Sequence, residues 1–128
     1  MKPLVEIKDL TIGFQEGKTI SPAVKGISFE VREGEILGVV GESGSGKSMS
    51  ALALMGLLPK DAIVTQGQIL FKGTDLLTMK DEEKRKLQGS RMAMVFQEPM
   101  TSLNPVMKIE KQVGESLKLH TSLSDKEI

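Results

Sequence analysis

The segment from Gly41 to Ser48 constrains the fold of this chain more than any other. It fits the pattern G-x-x-x-x-G-K-[ST] at every fixed position, and an apolar run, Glu35–Val40, leads into it. The following segment, Met49–Leu58, is rich in Ala, Leu and Met, which favour a helix. The pattern therefore predicts a strand, a glycine-rich turn and a helix, the arrangement typical of a phosphate-binding loop.

Each residue type in this turn has a chemical reason. Glycines let successive N–H groups converge on an anion, and a helix that begins near Gly46 adds the positive end of its dipole. The Lys47 ammonium is expected to reach the outer phosphates of a nucleotide, and the Ser48 hydroxyl to bind Mg²⁺. A glycine- and serine-rich turn without a ligand is the alternative. The residues predicted to bind the nucleotide here are Gly41, Glu42, Ser43, Gly44, Ser45, Gly46, Lys47, Ser48 and Met49.

Composition narrows the classes of function. Lys plus Arg and Asp plus Glu both number 17, so bulk charge gives no reason to expect a nucleic-acid partner. The chain has no Cys, which excludes disulfides, thiolate catalysis and Cys-ligated metals within it. Only four aromatic residues are present, all Phe, which is few for a protein that stacks single-stranded bases. We therefore expect this chain to have an aliphatic core and no nucleic-acid partner.

Hydrophobic patterns place further elements around the loop. Residues 4–12 and 23–31 alternate apolar and polar side chains, which predicts two half-buried strands ahead of the loop. The helix after the loop is expected to stop near Pro59, because Pro cannot continue it. Further patterns predict a short strand at Gln68–Phe71, a helix at Thr78–Gln88, a buried strand at Arg91–Phe96 and an amphipathic helix at Ile109–Leu119.

Two sequence features in the second half of the chain predict local helical structure. The charged run Lys80–Lys86 predicts a solvated helix face. The segment Ser124–Glu127 has the form of a capping box, a helix start close to the last residue of the chain. From this we expect the sequence to be the front part of a longer one.

Three features together resemble the nucleotide-binding subunits of ABC transporters. They are the antiparallel strand pair before the loop, the form GESGSGKS of the loop, and the run MVFQEPMTSLNP at Met94–Pro105. The part from Gln97 to Pro105 is similar to the dipeptide, oligopeptide and nickel importer branch. The resemblance covers essentially the whole chain but only the front half of such a subunit. The family's Leu-Ser-Gly-Gly-Gln motif, its Walker B Asp with the following Glu, and its switch histidine have no counterpart here.

The resemblance implies roles for residues at matching positions, with ATP and Mg²⁺ as ligands. Lys47 and Gln97 are the candidate catalytic residues. Ser48 and Gln97 are the candidate ligands of the metal ion. Gln97 is also expected at the hinge into a helical subdomain. An alternative interpretation makes Gln97-Glu98 a Walker B-like pair, with Glu98 as the general base. Phe14 is expected to stack on the adenine, its alternative being a hairpin-packing side chain. His120 is interpreted as a surface helix residue.

The predicted fold class is α/β, a P-loop NTPase-type nucleotide-binding domain with an antiparallel β subdomain, incomplete and limited to its N-terminal half. Residues 1–128 form the N-terminal part of that domain. About 1–98 are expected to hold the β subdomain and the core with the loop, and about 99–128 the start of the helical subdomain.

The resemblance also implies a function for the parent protein. It would be an ATPase subunit that powers import of peptides or similar small solutes, peripheral on the cytoplasmic face of the cell membrane. Its partners would be a second nucleotide-binding subunit, membrane permease subunits and, indirectly, an extracytoplasmic solute-binding protein. The alternatives are a nucleotide-binding module without hydrolysis and a non-transport ABC ATPase of DNA repair or translation. The chain alone is expected to be inactive, because the motifs that complete the site are missing.

Overall fold

Antiparallel strands build the first part of the molecule. The computed structural model describes residues 2–42 and 46–128, which divide into a unit ending at Lys80 and a unit beginning at Asp81. Within the described part of the first unit, a four-stranded sheet has the order β2-β1-β3-β4. Its elements are β1 (Val5–Glu16), β2 (Thr19–Val31), helix α1 (Lys47–Met55), β3 (Ala62–Phe71) and β4 (Thr74–Asp75).

The core of this unit lies on one face of the sheet. Ile7, Leu10 and Ile12 of β1 and Ile69 of β3 are almost completely covered, and Ala53 of α1 is also buried. Full burial of one such aliphatic side chain stabilises the fold by roughly 1.5–3 kcal/mol. The half-buried strands predicted at residues 4–12 and 23–31 are confirmed, and β3 is longer than the predicted strand at 68–71.

A bulge at Asp9 keeps the buried face of β1 apolar. Between Ile7 and Leu10, β1 has one residue more than the paired interval of β2. Asp9 occupies the extra place with a φ of 46°, in the left-handed region, and its N–H donates to Ser28 Oγ at 2.9 Å. Without this bulge, Leu10 would fall on the opposite face, because side chains alternate along a strand.

Glycines in both neighbouring strands accommodate the bulge. Gly26 of β2 has a φ of 57°, and its N–H donates to Thr11 Oγ1 at 3.0 Å. Gly67 of β3 has a φ of 103°, and a Cβ there would lie 2.5 Å from the carbonyl oxygens of Lys8 and Asp9. Beyond this level the original register returns between β1 and β3, whereas the pairing of β1 with β2 shifts once more between Ile12 and Gly13.

The helix after the loop is shorter than predicted. It spans Lys47–Met55 and ends at Gly56, whereas Pro59 was expected to end it. Gly56 has a φ of 73° in the left-handed region, and the N–H of Leu57 donates to the carbonyl oxygen of Leu52 at 2.8 Å. A left-handed glycine closes the last turn in this way before the proline is reached.

Two predicted strands are not formed. Residues 35–40 and 91–96 have no strand assignment, and Ile36 and Val95 are each 97% exposed. A central strand of the buried kind needs ladder hydrogen bonds to neighbours on both sides. Among the described residues, no strand pairs with either segment, so the prediction of two core strands was wrong for this structure.

The second unit contains the remaining helices of the described ranges. They are α2 (Asp81–Leu87), a 3₁₀ helix (Pro99–Thr101) and α3 (Ile109–His120). The helix predicted at 78–88 is confirmed in shortened form, and α3 matches its prediction closely. The predicted apolar stripe of α3 is present, but Ile109, Val113 and Leu117 are not buried. The division predicted near residue 98 stays a prediction.

The capping box near the end of the chain is confirmed. The backbone N–H and the hydroxyl of Ser124 donate to Glu127 Oε2 at 2.7 and 2.9 Å. These two hydrogen bonds, the backbone one first, hold the pKa of Glu127 below its ordinary value. None of the helices in the described ranges reaches the length and hydrophobicity that a bilayer crossing requires.

Substitution of Gly67 tests the bulge. We expect Gly67→Ala to destabilise the folded state by about 2–4 kcal/mol, because the new Cβ meets two carbonyl oxygens and the backbone conformation disfavours any side chain. Gly17→Ala is the matched control, since Gly17 also has a positive φ, 65°, but its Cβ would meet nothing within 4 Å. Urea unfolding measures both, and equal destabilisation by the two variants would refute the close approach at the bulge.

Candidate phosphate-binding site

The described end of the glycine-rich loop lies against β2. Gly46 is the N-cap residue of α1, with a φ of 91°. A Cβ at Gly46 would lie 2.8 Å from Val24 Cγ2 and 2.9 Å from the carbonyl oxygen of Ala23. Both the backbone conformation and the space therefore require glycine here. This contact fixes where α1 begins relative to the sheet.

The Lys47 side chain reaches Gly41, the first residue of the sequence pattern. Its ammonium donates a hydrogen bond to the carbonyl oxygen of Gly41, which joins the two ends of the loop. Gly41 and Glu42 are exposed, and Ser43, Gly44 and Ser45 lie outside the described residues. The structure thus brings together the first glycine and the lysine of the sequence pattern.

The start of α1 is electrostatically suited to an anion. Among the residues that the structure describes, no side chain caps its first N–H groups, and its first turn contains no acidic residue. The first turn of α2, in contrast, holds Asp81, Glu82 and Glu83. Carboxylates at a helix N-terminus neutralise the positive end of the helix dipole. In α2 the three acidic residues do this, whereas the first turn of α1 has no carboxylate that could. The bare first turn fits the predicted phosphate ligand.

Ser48 fits the predicted contribution to Mg²⁺. Its side chain is exposed in the first turn of α1, and its hydroxyl makes no hydrogen bond to any described residue. A hydroxyl is the hard oxygen ligand that Mg²⁺ accepts, and few protein ligands are needed since the ion keeps several waters. Within the described ranges, no group of three or more His, Cys, Asp or Glu side chains could hold a metal ion. Met49 is half-buried.

Phe14 lies on the strand that leads toward this region. It is half-buried near the end of β1, where it pairs with Ser21 of β2. Ile12, two residues earlier, pairs with Val24, the residue against which Gly46 packs. Phe14 is therefore two residues along β1 from Ile12, whose partner Val24 contacts Gly46. Stacking on adenine stays a prediction.

Gln97 belongs to the second unit. It is exposed at a bend before the 3₁₀ helix, and the segment 91–96 ahead of it is not a strand. After Gln97, the Ser102 hydroxyl donates to the carbonyl oxygen of Glu98 at 2.7 Å and closes the short helical turn. A change of backbone direction at Gln97 agrees with a hinge. Its role toward Mg²⁺ or water stays a prediction, as does the alternative for Glu98. His120 is in the last turn of α3.

Sequence reasoning missed Gln112. Its side-chain amide makes three hydrogen bonds to the backbone of residues 104 and 107. A single Gln in an amphipathic helix carries no sequence signal for such a contact, because the contact depends on how the preceding loop folds back.

The comparison with a protein family decides the classification of the chain. The profile of the family described as ABC transporter matches residues 24–127. This chain belongs to the ABC transporter family. The matched residues include β2 from Val24 onward, the loop, α1 and the second unit up to residue 127, so the family assignment rests on both units and not on the loop alone.

Individual relatives within the family are similar over most of this chain. The dipeptide transport ATP-binding protein DppD of Haemophilus influenzae is 49% identical over 117 residues, which is 91% of this chain and 36% of that protein. The oligopeptide transport ATP-binding protein OppD of Escherichia coli is 44% identical over 124 residues, 97% of this chain and 36% of that protein. The chain thus spans little more than a third of these relatives.

A solved structure supports the fold class. The ATP-binding cassette MJ0796, in a dimeric post-hydrolysis state bound to ADP and Pi, aligns with a TM-score of 0.78 at 26% identity. The alignment covers 96% of this chain and 51% of that chain. The predicted fold, part of a P-loop nucleotide-binding domain with an antiparallel β subdomain, is confirmed.

Proposed function

We propose that this chain is the nucleotide-binding front part of an ATPase subunit that powers import of peptides or similar small solutes. The observation that carries the proposal is the uncapped start of α1, where Gly46 packs on β2 and Lys47 folds over Gly41. The relatives named for dipeptide and oligopeptide transport support the solute class.

The loop residues bind and orient the nucleotide in this proposal. The Lys47 ammonium leaves the Gly41 carbonyl and forms charge-assisted hydrogen bonds to the outer phosphates. N–H groups at the start of α1 donate to phosphate oxygens, and the Ser48 hydroxyl is a ligand of Mg²⁺. The Mg²⁺ ion, when bound, neutralises charge that develops during phosphoryl transfer. Phe14 stacks on the adenine, and Gln97 orients water or the ion from its hinge position.

Partners follow from the same proposal. A second nucleotide-binding subunit completes each site, and membrane permease subunits hold the protein at the cytoplasmic face of the cell membrane. A solute-binding protein outside the membrane delivers the solute. The exposed apolar side chains of Met100, Val106 and Val113 support a protein partner on the second unit. We place the permease on this unit.

Reading the gene beyond codon 128 tests the proposed importer subunit directly, since it requires a Leu-Ser-Gly-Gly-Gln motif and a Walker B strand downstream.

Replacing Lys47 tests nucleotide binding. We expect Lys47→Ala to weaken Mg-ATP binding by about 1.5–3 kcal/mol, because the charge-assisted contacts to phosphate are lost. Titration calorimetry on folded protein measures the difference. Lys60→Ala, which removes an exposed lysine elsewhere in the first unit, is the control and should leave affinity unchanged. Equal affinities for Lys47→Ala and the control would reject the site.

Replacing Gln97 tests the proposed hinge residue. In the full-length transporter, Gln97→Ala should lower ATP-driven uptake about tenfold or more, while the Kd for Mg-ATP changes less than about threefold. The physical reason is that Gln97 acts on water or metal during turnover and not on the bound phosphates. Gln66→Ala, at an exposed position of β3, is the control. A parallel loss of binding and uptake would contradict this role.

A third prediction concerns the chain by itself. We expect residues 1–128 to release phosphate from ATP no faster than the Lys47→Ala variant, because the carboxylates that order the metal's water shell and the attacking water are not in this sequence. A phosphate-release assay compares the two. Turnover of about 1 s⁻¹, lost in Lys47→Ala, would contradict the prediction and return Glu98 to consideration as the base.

A further inference from the structure

Helix α1 has a buried polar side chain, that of Ser50. Ser50 is 5% exposed, and Ala53, three residues later on the same face of the helix, is 4% exposed. Among the residues that the structure describes, no other polar or charged side chain is buried to this degree. Ser48, two residues earlier, is exposed. The hydroxyl of Ser50 therefore belongs to the covered face of α1, whereas that of Ser48 meets solvent.

The Ser50 hydroxyl has its partner in the first turn of the helix. It donates to the carbonyl oxygen of Gly46 at 3.1 Å, and the backbone N–H of Ser50 donates to the same oxygen at 3.1 Å. The carbonyl of the N-cap residue thus accepts two hydrogen bonds from one residue. A buried hydroxyl needs a partner, because burying it unpaired is unfavourable. This one is paired with the residue that ends the glycine-rich loop.

Helix stability does not explain a serine at this position. Ser is a poorer helix former than Ala, and a Ser that bonds back to the fourth preceding carbonyl slightly destabilises a helix. The next four residues, Ala51–Leu54, are all strong helix formers. An alanine at position 50 would leave no buried hydroxyl to satisfy, and the Gly46 carbonyl would keep the hydrogen bond from the backbone N–H. The effect of the hydroxyl therefore has to be sought at Gly46.

The peptide group between Gly46 and Lys47 connects this carbonyl to the proposed anion site. A trans peptide is planar, and its carbonyl and its N–H point in opposite directions. None of the peptide bonds among the described residues is cis. The two hydrogen bonds that hold the Gly46 oxygen toward α1 therefore aim the Lys47 N–H out of the helix N-terminus. That N–H is the first of the uncapped groups that we propose to donate to phosphate.

Packing alone leaves this peptide group free to rotate. The contact with Ala23 and Val24 fixes the Cα of Gly46 against β2. It does not fix the plane of the peptide that follows, because glycine is conformationally permissive. The second hydrogen bond, from the Ser50 hydroxyl, restrains that plane at its carbonyl end.

We propose that Ser50 is a positioning residue of the phosphate site: its hydroxyl holds the Gly46 carbonyl, so that the Lys47 N–H is aimed at a phosphate oxygen before the nucleotide arrives. Donors that are already in place bind more tightly, because less conformational freedom is lost on binding. This inference rests on the proposed nucleotide binding and adds to it a residue that does not touch the ligand.

The first experiment observes this one peptide group by NMR in the full-length protein. Labelling with ¹³C at glycine carbonyls and ¹⁵N at lysine amides gives a signal only where Lys follows Gly. In this chain those pairs are Gly46-Lys47 and Gly17-Lys18, and Lys47→Arg removes the first signal and so assigns it. Ser50→Ala should lower the order parameter of the Lys47 N–H from about 0.85 toward about 0.6 and leave that of Lys18 unchanged.

The second experiment measures affinity by titration calorimetry of the full-length protein with Mg²⁺ and the non-hydrolysable ATP analogue AMP-PNP. Ser50→Ala should raise Kd about three- to tenfold, the effect of losing one hydrogen bond. Its thermal midpoint should stay within about 3 °C of wild type. Ser50→Thr should restore both the Kd and the order parameter, because a Thr hydroxyl in a helix can also bond the carbonyl four residues earlier.

Ala53→Gly is the matched control for helix stability. It changes the same covered face of α1 and weakens the helix, because Gly is a poor helix former, but it leaves the Ser50 hydroxyl and the Gly46 carbonyl in place. We expect a lower thermal midpoint and a Kd within about twofold of wild type. An equal rise of Kd in Ala53→Gly and Ser50→Ala would show an effect of helix stability alone and overturns the proposal.

The two experiments separate this inference from the function on which it rests. If the wild-type protein binds no AMP-PNP, the proposed function fails, and the Lys47 order parameter still decides whether Ser50 holds the peptide group. If the wild-type protein binds the analogue, an unchanged order parameter or an unchanged Kd in Ser50→Ala shows that the inference is wrong. It also fails if Ser50→Thr folds without restoring both values.

Discussion

The close approach of Gly46 to β2 determines how the first unit is built. The helix after the loop begins where its N-cap residue touches Ala23 and Val24, with no room for a Cβ. This contact lets a short helix start at the sheet with its first N–H groups uncapped. Lys47 can then reach back to Gly41, because the helix start and the loop entrance lie side by side. The anion site that we propose at the loop thus depends on packing against a strand distant in sequence.

The two units differ in what orders them. The first has an aliphatic core around Ile7 and Ile69, with backbone ladders on both sides of β1. The second has no buried residue in either α2 or α3, and its order comes from side-chain contacts to backbone, such as those of Gln112 and Ser116. Hydrogen bonds of this kind each contribute only about 1 kcal/mol. A unit ordered in this way is well suited to change its arrangement when a partner binds, since little apolar packing opposes the change.

Short sequence patterns predicted the structural elements that depend only on residues near one another in the chain. The helix formers after the loop and the Ser124–Glu127 capping box are contained in short segments, and these predictions held. The apolar run at 35–40 predicted a buried strand, but strand formation needs partners that no described residue supplies, and Ile36 and Val40 are exposed. The helix after the loop ends at Gly56, which has a left-handed conformation, before the end that Pro59 predicted. The Gln112 contacts depend on a loop folding back, which no periodicity encodes.

The bulge at Asp9 makes the lengths of three strands interdependent. The extra residue of β1 before Leu10 shifts the pairing with both neighbouring strands. β3 restores the original register at Ile12, whereas β2 shifts once more between Ile12 and Gly13. Deleting Asp9 alone would move Leu10 to the wrong face or misalign both neighbours. Insertions and deletions at this level can therefore be accepted only in combination, and sequence alignments of relatives should keep the three positions in step. At this level of the sheet, the number of residues in each strand is therefore as constrained as their identity.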